Sequence, residues 1–113
     1  MKFGKMAVID LHGCNDRIKD PVEIKRFIKE LVNVIDMIAH GDTLIDRFGE
    51  GGIEGYSAFQ FIETSSIVFH NDERDNSAYI DIFSCKDFDE EKARRFCQDF
   101  FSSIDYRLKI IER

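Results

Sequence analysis

The sequence predicts an α+β fold, a two-layer sandwich with two helices on one face of a largely antiparallel β-sheet, in the order β-α-β-β-β-β-α-β. Three observations carry this reading. Apolar residues recur at helical spacing in two places, from Ile24 to Ile38 and from Ala93 to Phe101. Between and around them lie short runs rich in Ile, Val, Phe and Tyr, bounded by polar and Gly-containing segments, as strands require. With 113 residues, 43% of them hydrophobic and 34% charged, residues 1–113 are expected to fold as one domain with a core rather than stay disordered.

The elements follow in order. Ala7-Val8-Ile9-Asp10-Leu11 is a short strand, ended by His12-Gly13-Cys14-Asn15-Asp16. Asp20-Pro21 opens a helix, with Asp20 as N-cap, Pro21 at the first helical position and Glu23 three residues after the cap. Ile24, Phe27, Ile28, Leu31, Ile35 and Ile38 make its apolar stripe, and His40-Gly41 is expected to end it with a left-handed glycine cap. Thr43 to Phe48 reads as a strand. Residues 49–55 hold four of the seven glycines, but no G-x-x-x-x-G-K-[ST] pattern is present and Glu50 and Glu54 sit inside, which favours a mobile turn over a phosphate cradle.

Tyr56 to Ile62, Ser66 to Phe69 and Ala78 to Ser84 read as three strands, the last two joined by the polar stretch from Asn71 to Ser77. The second helix starts near Asp89 and buries Ala93, Phe96, Cys97, Phe100 and Phe101. Asp105 to Ile111 closes the chain as a strand with Tyr106, Leu108 and Ile110 on one face. With both helices on one face, the other face of the sheet needs cover. A second copy supplies it economically, so a homodimer is expected.

A net charge of −6 argues against a nucleic-acid partner and modestly favours a cationic small-molecule substrate. No apolar run approaches the ~18–20 residues that span a membrane, and Met1-Lys2-Phe3-Gly4-Lys5 leads straight into a strand, so the expected location is cytoplasmic, without membrane association. The three cysteines, Cys14, Cys85 and Cys97, show no CxxC spacing, which points away from a disulfide framework and from a metal site.

Taken alone, Ser65 is a turn serine, His70 a hairpin-end residue and Cys85 a small hydrophobe. Their spacing makes them a set. Ser57 lies eight residues before Ser65, His70 five after it, and Cys85 fifteen after His70. Around them stand Asp10-Leu11-His12-Gly13-Cys14, Arg47-Phe48, Thr64-Ser65-Ser66-Ile67-Val68-Phe69-His70 and Asp81-Ile82-Phe83-Ser84-Cys85. On these residues, and over nearly its whole length, the chain resembles the prokaryotic (bacterial and archaeal) S-adenosylmethionine decarboxylase proenzyme family.

The resemblance implies that Ser65 makes the cofactor. Its hydroxyl would attack the Thr64 carbonyl to give an ester, and His70 would remove the Ser65 α-proton, a role suited to an imidazole near neutral pH. Elimination and hydrolysis would then leave residues 1–64 and a fragment 65–113 that begins with a pyruvoyl group, with loss of ammonia. Ser57 would hydrogen-bond the intermediate. In turnover the resemblance implies that the pyruvoyl ketone takes the substrate amine and accepts the electrons released as carbon dioxide leaves. A free cysteine, with a pKa of ~8.5, is mostly a protonated thiol at neutral pH, so the resemblance implies Cys85 as the donor that returns a proton to the substrate. For substrate binding the resemblance implies Phe48 and His70 stacking on adenine, a backbone contact at Ile67, and Asp10 and Glu73 as further contacts. Cys14 and Cys97 are read as structural.

Some positions depart from the family pattern. Thr64 stands where the family usually has Glu before the processing serine. Asn71-Asp72-Glu73-Arg74 replaces a Trp-Pro-Glu-like stretch, which puts Arg74 at the ribose-binding position with Glu73 beside it. The connection from Phe48 to Ser57 is longer and richer in glycine. Ser66 is a rival nucleophile, out of register with His70 and Cys85. These departures bear on substrate rather than on pyruvoyl chemistry. The leading reading is therefore a pyruvoyl-dependent decarboxylase of S-adenosylmethionine that supplies spermidine synthesis. The alternatives are a pyruvoyl enzyme for another amino acid, such as ornithine or arginine, and an uncut, non-catalytic homologue that acts as partner or regulator.

Overall fold

Six strands and two helices form in the order expected from the sequence. The structure, a computed structural model, describes residues 2–113. Strand β1 runs Lys5–His12, helix α1 Pro21–Val34, β2 Leu44–Phe48, β3 Gly55–Ile62, β4 Ser65–Asp72, β5 Ser77–Ser84, helix α2 Glu90–Phe101 and β6 Asp105–Glu112. Two short 3-10 turns, Asp16–Lys19 and Gly51–Ile53, complete the secondary structure. The strands form one sheet in the order β2-β3-β4-β5-β1-β6, antiparallel at every pairing.

Alternation along the strands divides the sheet into two unlike faces. Ala7, Ile9 and Leu11 of β1, Ile67 and Phe69 of β4, and Ala78, Ile80 and Ile82 of β5 are buried against the helices. From α1, Ile24, Phe27, Ile28 and Leu31 enter this core; from α2, Ala93, Cys97, Phe100 and Phe101 do. Phe27 is the hub of the layer, with ring centroids 4.7 Å from Phe101, 5.3 Å from Phe100 and 6.1 Å from Phe69. The opposite face has no helix. It carries Leu44, Phe48, Phe61 and Ile111 in exposed positions, interleaved with Ser57, His70, Asp81 and Asp10.

Helix α1 starts as its sequence predicts: the Asp20 carboxylate accepts from the backbone N–H groups of Val22 and Glu23, and Pro21 occupies the first turn. Its end corrects the reading of the stripe. The helix stops at Val34, Ile35 caps it, and Asp36 turns the chain left-handed at φ +56°. Ile35 and Met37 are buried, but Ile38 is 60% exposed and lies outside the stripe. From Ile38 the chain is extended alongside β3, where the Glu63 N–H donates to the Ile38 carbonyl and the His40 N–H to the Phe61 carbonyl. The edge of β3 thus supplies backbone partners that another helical turn would forgo. An Asp tolerates the left-handed cap position assigned from sequence to Gly41. Apolar spacing alone does not reveal that competition.

Candidate active site

Short loops fix what lies opposite what. The β3–β4 hairpin turns through Glu63 and Thr64, so Ser57 faces His70 and Ile62 faces Ser65. The longer β4–β5 turn sets Ser65 opposite Ser84 and His70 opposite Tyr79. Continued across the sheet, one row on the open face reads Asp46, Ser57, His70, Tyr79, Asp10.

Within that row Ser57 Oγ lies 2.8 Å from His70 Nδ1. The hydroxyl fixes one ring nitrogen and leaves the other free to take or give a proton. Both side chains border a cavity of about 410 Å³ whose apolar walls are Leu44, Phe48, Phe59 and Val68. Asp46 adds a carboxylate to its rim. An aromatic wall with one carboxylate and one imidazole suits a ligand that is part flat ring and part cation. Two residues further along β5, Asp81 has its pKa raised, first by burial and then by the neighbouring charge of Asp10, with His70 acting in the opposite sense.

Ser65 and Cys85 stand on neighbouring strand ends at the other end of β4, where Ser65 lies opposite Ser84. Ser65 has φ +156°, a value seldom taken by residues other than glycine. Two-residue hairpin loops usually place positive φ in the loop itself. Here neither Glu63 nor Thr64 has it, and the distortion falls on Ser65. The carbonyl oxygen of Thr64 accepts from the Cys85 N–H at 3.0 Å. That donor is placed where negative charge would grow if Ser65 attacked the Thr64 carbonyl. Cys85 is exposed and borders a second cavity of about 210 Å³ with Phe3, Lys5 and Asp87. Cys14, half-buried, has its thiol pushed up to about 11 by burial, and Cys97, fully buried, is pushed up further.

The four chemical residues therefore form two pairs, not one cluster. Five residues of strand separate Ser65 from His70, about 16 Å at the rise of a β-strand. The other candidates divide too. Phe48 lines the His70 cavity and Asp10 shares its row, while the Ile67 side chain is fully buried on the helix face, in a strand paired on both sides. Glu73 stands apart, its carboxylate gripped by Arg47 at 2.8 Å and 3.0 Å, while Arg47 also holds Glu54. Arg47 keeps the Glu73 carboxyl below its usual range. Arg74 extends into solvent over Gly52. Asp46, Asp81 and Ser84 were not singled out from the sequence, although the hairpin registers place Asp46 opposite Ser57 and Asp81 opposite Val68, on the face that carries His70. Among the described residues no group of three or more His, Cys, Asp or Glu is set to hold a metal ion, and no helix is long and apolar enough to cross a membrane.

The sequence model of the family described as S-adenosylmethionine decarboxylase matches residues 5–113. The chain belongs to the S-adenosylmethionine decarboxylase family. It is 29% identical over 93 residues to an S-adenosylmethionine decarboxylase proenzyme of Pyrobaculum aerophilum, covering 80% of this chain and 70% of that one. The crystal structure of the adenosylmethionine decarboxylase from Aquifex aeolicus VF5 superposes with a TM-score of 0.84 at 18% identity, over 99% of this chain and 91% of that one. This second likeness concerns the fold: the family's sheet and helix layer account for nearly all of the chain.

Proposed function

We propose that the chain is a self-processing, pyruvoyl-dependent decarboxylase of S-adenosylmethionine, supplying the aminopropyl donor for spermidine synthesis. The observation that carries this reading is the strained Ser65 backbone beside a Thr64 carbonyl that already accepts the Cys85 N–H. Ser65 Oγ adds to the Thr64 carbonyl carbon, the peptide C–N bond breaks, and the proton passes from Oγ to the freed nitrogen. His70 then removes the Ser65 α-proton while the Cβ–O bond breaks and Thr64 leaves as a carboxylate. Addition of water and loss of ammonia complete the pyruvoyl group.

That group supplies the electron sink for loss of carbon dioxide. The chain's own residues do the rest. Phe48 and His70 flank the flat base of the substrate, Asp46 attracts its positive charge, and the Cys85 thiol returns a proton to the carbon that loses carbon dioxide.

His70 cannot reach Ser65 of its own chain across about 16 Å. A second copy, packed by its open sheet face with the two-fold axis between the sheets and passing over β4 midway between Ile67 and Val68, sets the Ser65 end of each β4 over the His70 end of the other. Each site then joins Ser65 and Cys85 of one protomer to Ser57 and His70 of its partner. The same packing covers Leu44, Phe48 and Phe61, which a lone protomer leaves more than half exposed.

Intact mass under denaturing conditions tests the reading. Fragments divided between Thr64 and Ser65, the second blocked at its amino end, are expected from the wild type, with turnover of S-adenosylmethionine. Co-expression of Ser65→Ala and His70→Ala chains then tests the shared site, because a mixed dimer keeps one complete site and cuts the His70→Ala chain. Turnover of ornithine or arginine instead would replace the substrate assignment. A single uncut species of 13.2 kDa would replace the enzyme with a silent homologue.

A further inference from the structure

Thr64 lies on the acyl side of the bond that self-processing would cut, and residues without a role in that reading hold it in place. Its hydroxyl is 2.8 Å from Ser84 Oγ and 3.3 Å from Met37 Sδ. Ser84 is fully buried and Met37 is 6% exposed. Ser84 Oγ accepts from the Lys86 N–H at 3.0 Å and can donate to Thr64 Oγ1, and both hydroxyls reach the Met37 sulfur, a weak acceptor, at 3.3 Å from Thr64 and 3.8 Å from Ser84. Hydrogen bonding thus links Lys86 through Ser84 and Thr64 to Met37. Its two ends meet again in space, because Lys86 Nζ donates at 2.6 Å to the carbonyl of Asp36, the neighbour of Met37.

A buried hydroxyl needs partners wherever it sits, so satisfaction alone assigns Ser84 no role. The location does. Thr64 is held at its hydroxyl by Ser84 and at its carbonyl by the Cys85 N–H. A two-residue loop would otherwise adjust by taking positive φ within itself. With Thr64 pinned at both points, the adjustment appears at Ser65, at φ +156°.

Resting on the self-processing reading, we propose that Ser84 is a positioning residue for chain cleavage. Its hydroxyl holds Thr64 so that the scissile carbonyl stays against the Cys85 N–H and the backbone strain stays on Ser65. Ser84 exchanges no proton in the step. As Ser65 Oγ bonds to the Thr64 carbon and the C–N bond breaks, charge grows on the oxygen that Cys85 N–H already faces. The strained peptide link disappears as the ester forms. The clamp also gives Thr64 a function in place of the family's usual Glu, since its hydroxyl is the group that Ser84 grips.

The test is the time course of cleavage, followed by intact mass, for the wild type, Ser84→Ala, Thr64→Val, Thr64→Ser and the double variant Ser84→Ala/Thr64→Val, with thermal melting of each uncut chain. Ser84→Ala and Thr64→Val are expected to slow cleavage by about tenfold to a hundredfold, the range set by small misplacements of reacting groups. Thr64→Ser keeps the hydroxyl and restores a rate near that of the wild type. The double variant is no slower than the slower single variant, because both remove one interaction. Should Ser84→Ala fail to fold, Thr64→Val, isosteric and only partly buried, carries the test. Wild-type rates in Ser84→Ala or in Thr64→Val overturn the proposal while cleavage itself stands. An uncut wild type removes the self-processing reading and this proposal together.

Discussion

The two ends of β4 are built by different means. At the His70 end the sheet is regular, and the chemistry is a side-chain pair, Ser57 with His70, set opposite each other by antiparallel register. At the Ser65 end the side chains are ordinary and the backbone is not: φ at Ser65 is +156° and a main-chain N–H points at a main-chain carbonyl. The contrast matches the two tasks proposed for them. Moving a proton needs a titratable ring held at one nitrogen. Cutting a peptide bond needs the bond itself displaced from its comfortable geometry.

Removing the nucleophile should separate the ends most sharply. Ser65→Ala is expected to abolish fragment formation entirely, as read by intact mass after prolonged incubation. His70→Ala leaves the strained bond in place and should slow pyruvoyl formation by about a hundredfold or more, the usual reach of acid–base catalysis. Hydroxylamine, which cleaves esters, should then cut that variant between Thr64 and Ser65; resistance to it would assign His70 to an earlier step. Ser57→Ala keeps the imidazole and loses its anchor, with an expected fall of about tenfold in the same rate, the effect of losing one such hydrogen bond. Equal rates for Ser57→Ala and the wild type would break the pairing.

Smaller effects sharpen the comparison. Phe48→Ala is expected to raise KM by several-fold with little change in kcat, through loss of about 1 kcal/mol of aromatic stacking. Among uncut chains, Ser65→Gly should be more stable than Ser65→Ala by about 1 kcal/mol in denaturant unfolding, because glycine takes the observed φ without strain. No difference would mean that the Ser65 end stores nothing.

Asp81 gives the smallest shift, and its sign is fixed by its raised pKa. The fold favours the protonated acid, so its contribution is full below the ordinary value of ~3.9 and is lost as pH rises through the raised one. Asp81→Asn should therefore raise Tm slightly at pH 7 and leave it nearly unchanged at pH 3.

Most of this architecture is legible in the sequence for physical reasons. Asp20-Pro21 announces a helix start because it supplies a cap and needs no first N–H. Ala78 to Ser84 announces a strand because its alternation matches a sheet with one covered face. The end of α1 is not legible, since Ile35 and Ile38 continue the helical spacing while the edge of β3 competes for the backbone. The two-part site was within reach and was missed. A loop centred between Glu63 and Thr64 puts Ser57 opposite His70 and leaves Ser65 at the far end of the strand. Linear spacing treats the four residues as one constellation, whereas register divides them into two. Ser84 had no signal at all, because a serine before a cysteine acquires its role only from what folds over it.

Gly4 lies just before β1 and passes directly behind the Ser84–Cys85 corner. A Cβ there would overlap the Ser84 carbonyl oxygen and stand 2.6 Å from Cys85 Cα, both of them backbone atoms. The clearance behind the cleavage corner is thus narrower than one methyl group. A residue remote in sequence from Ser65 sets how far the Cys85 amide can retreat, so the bareness of position 4 acts as the backstop against which the scissile carbonyl is aimed.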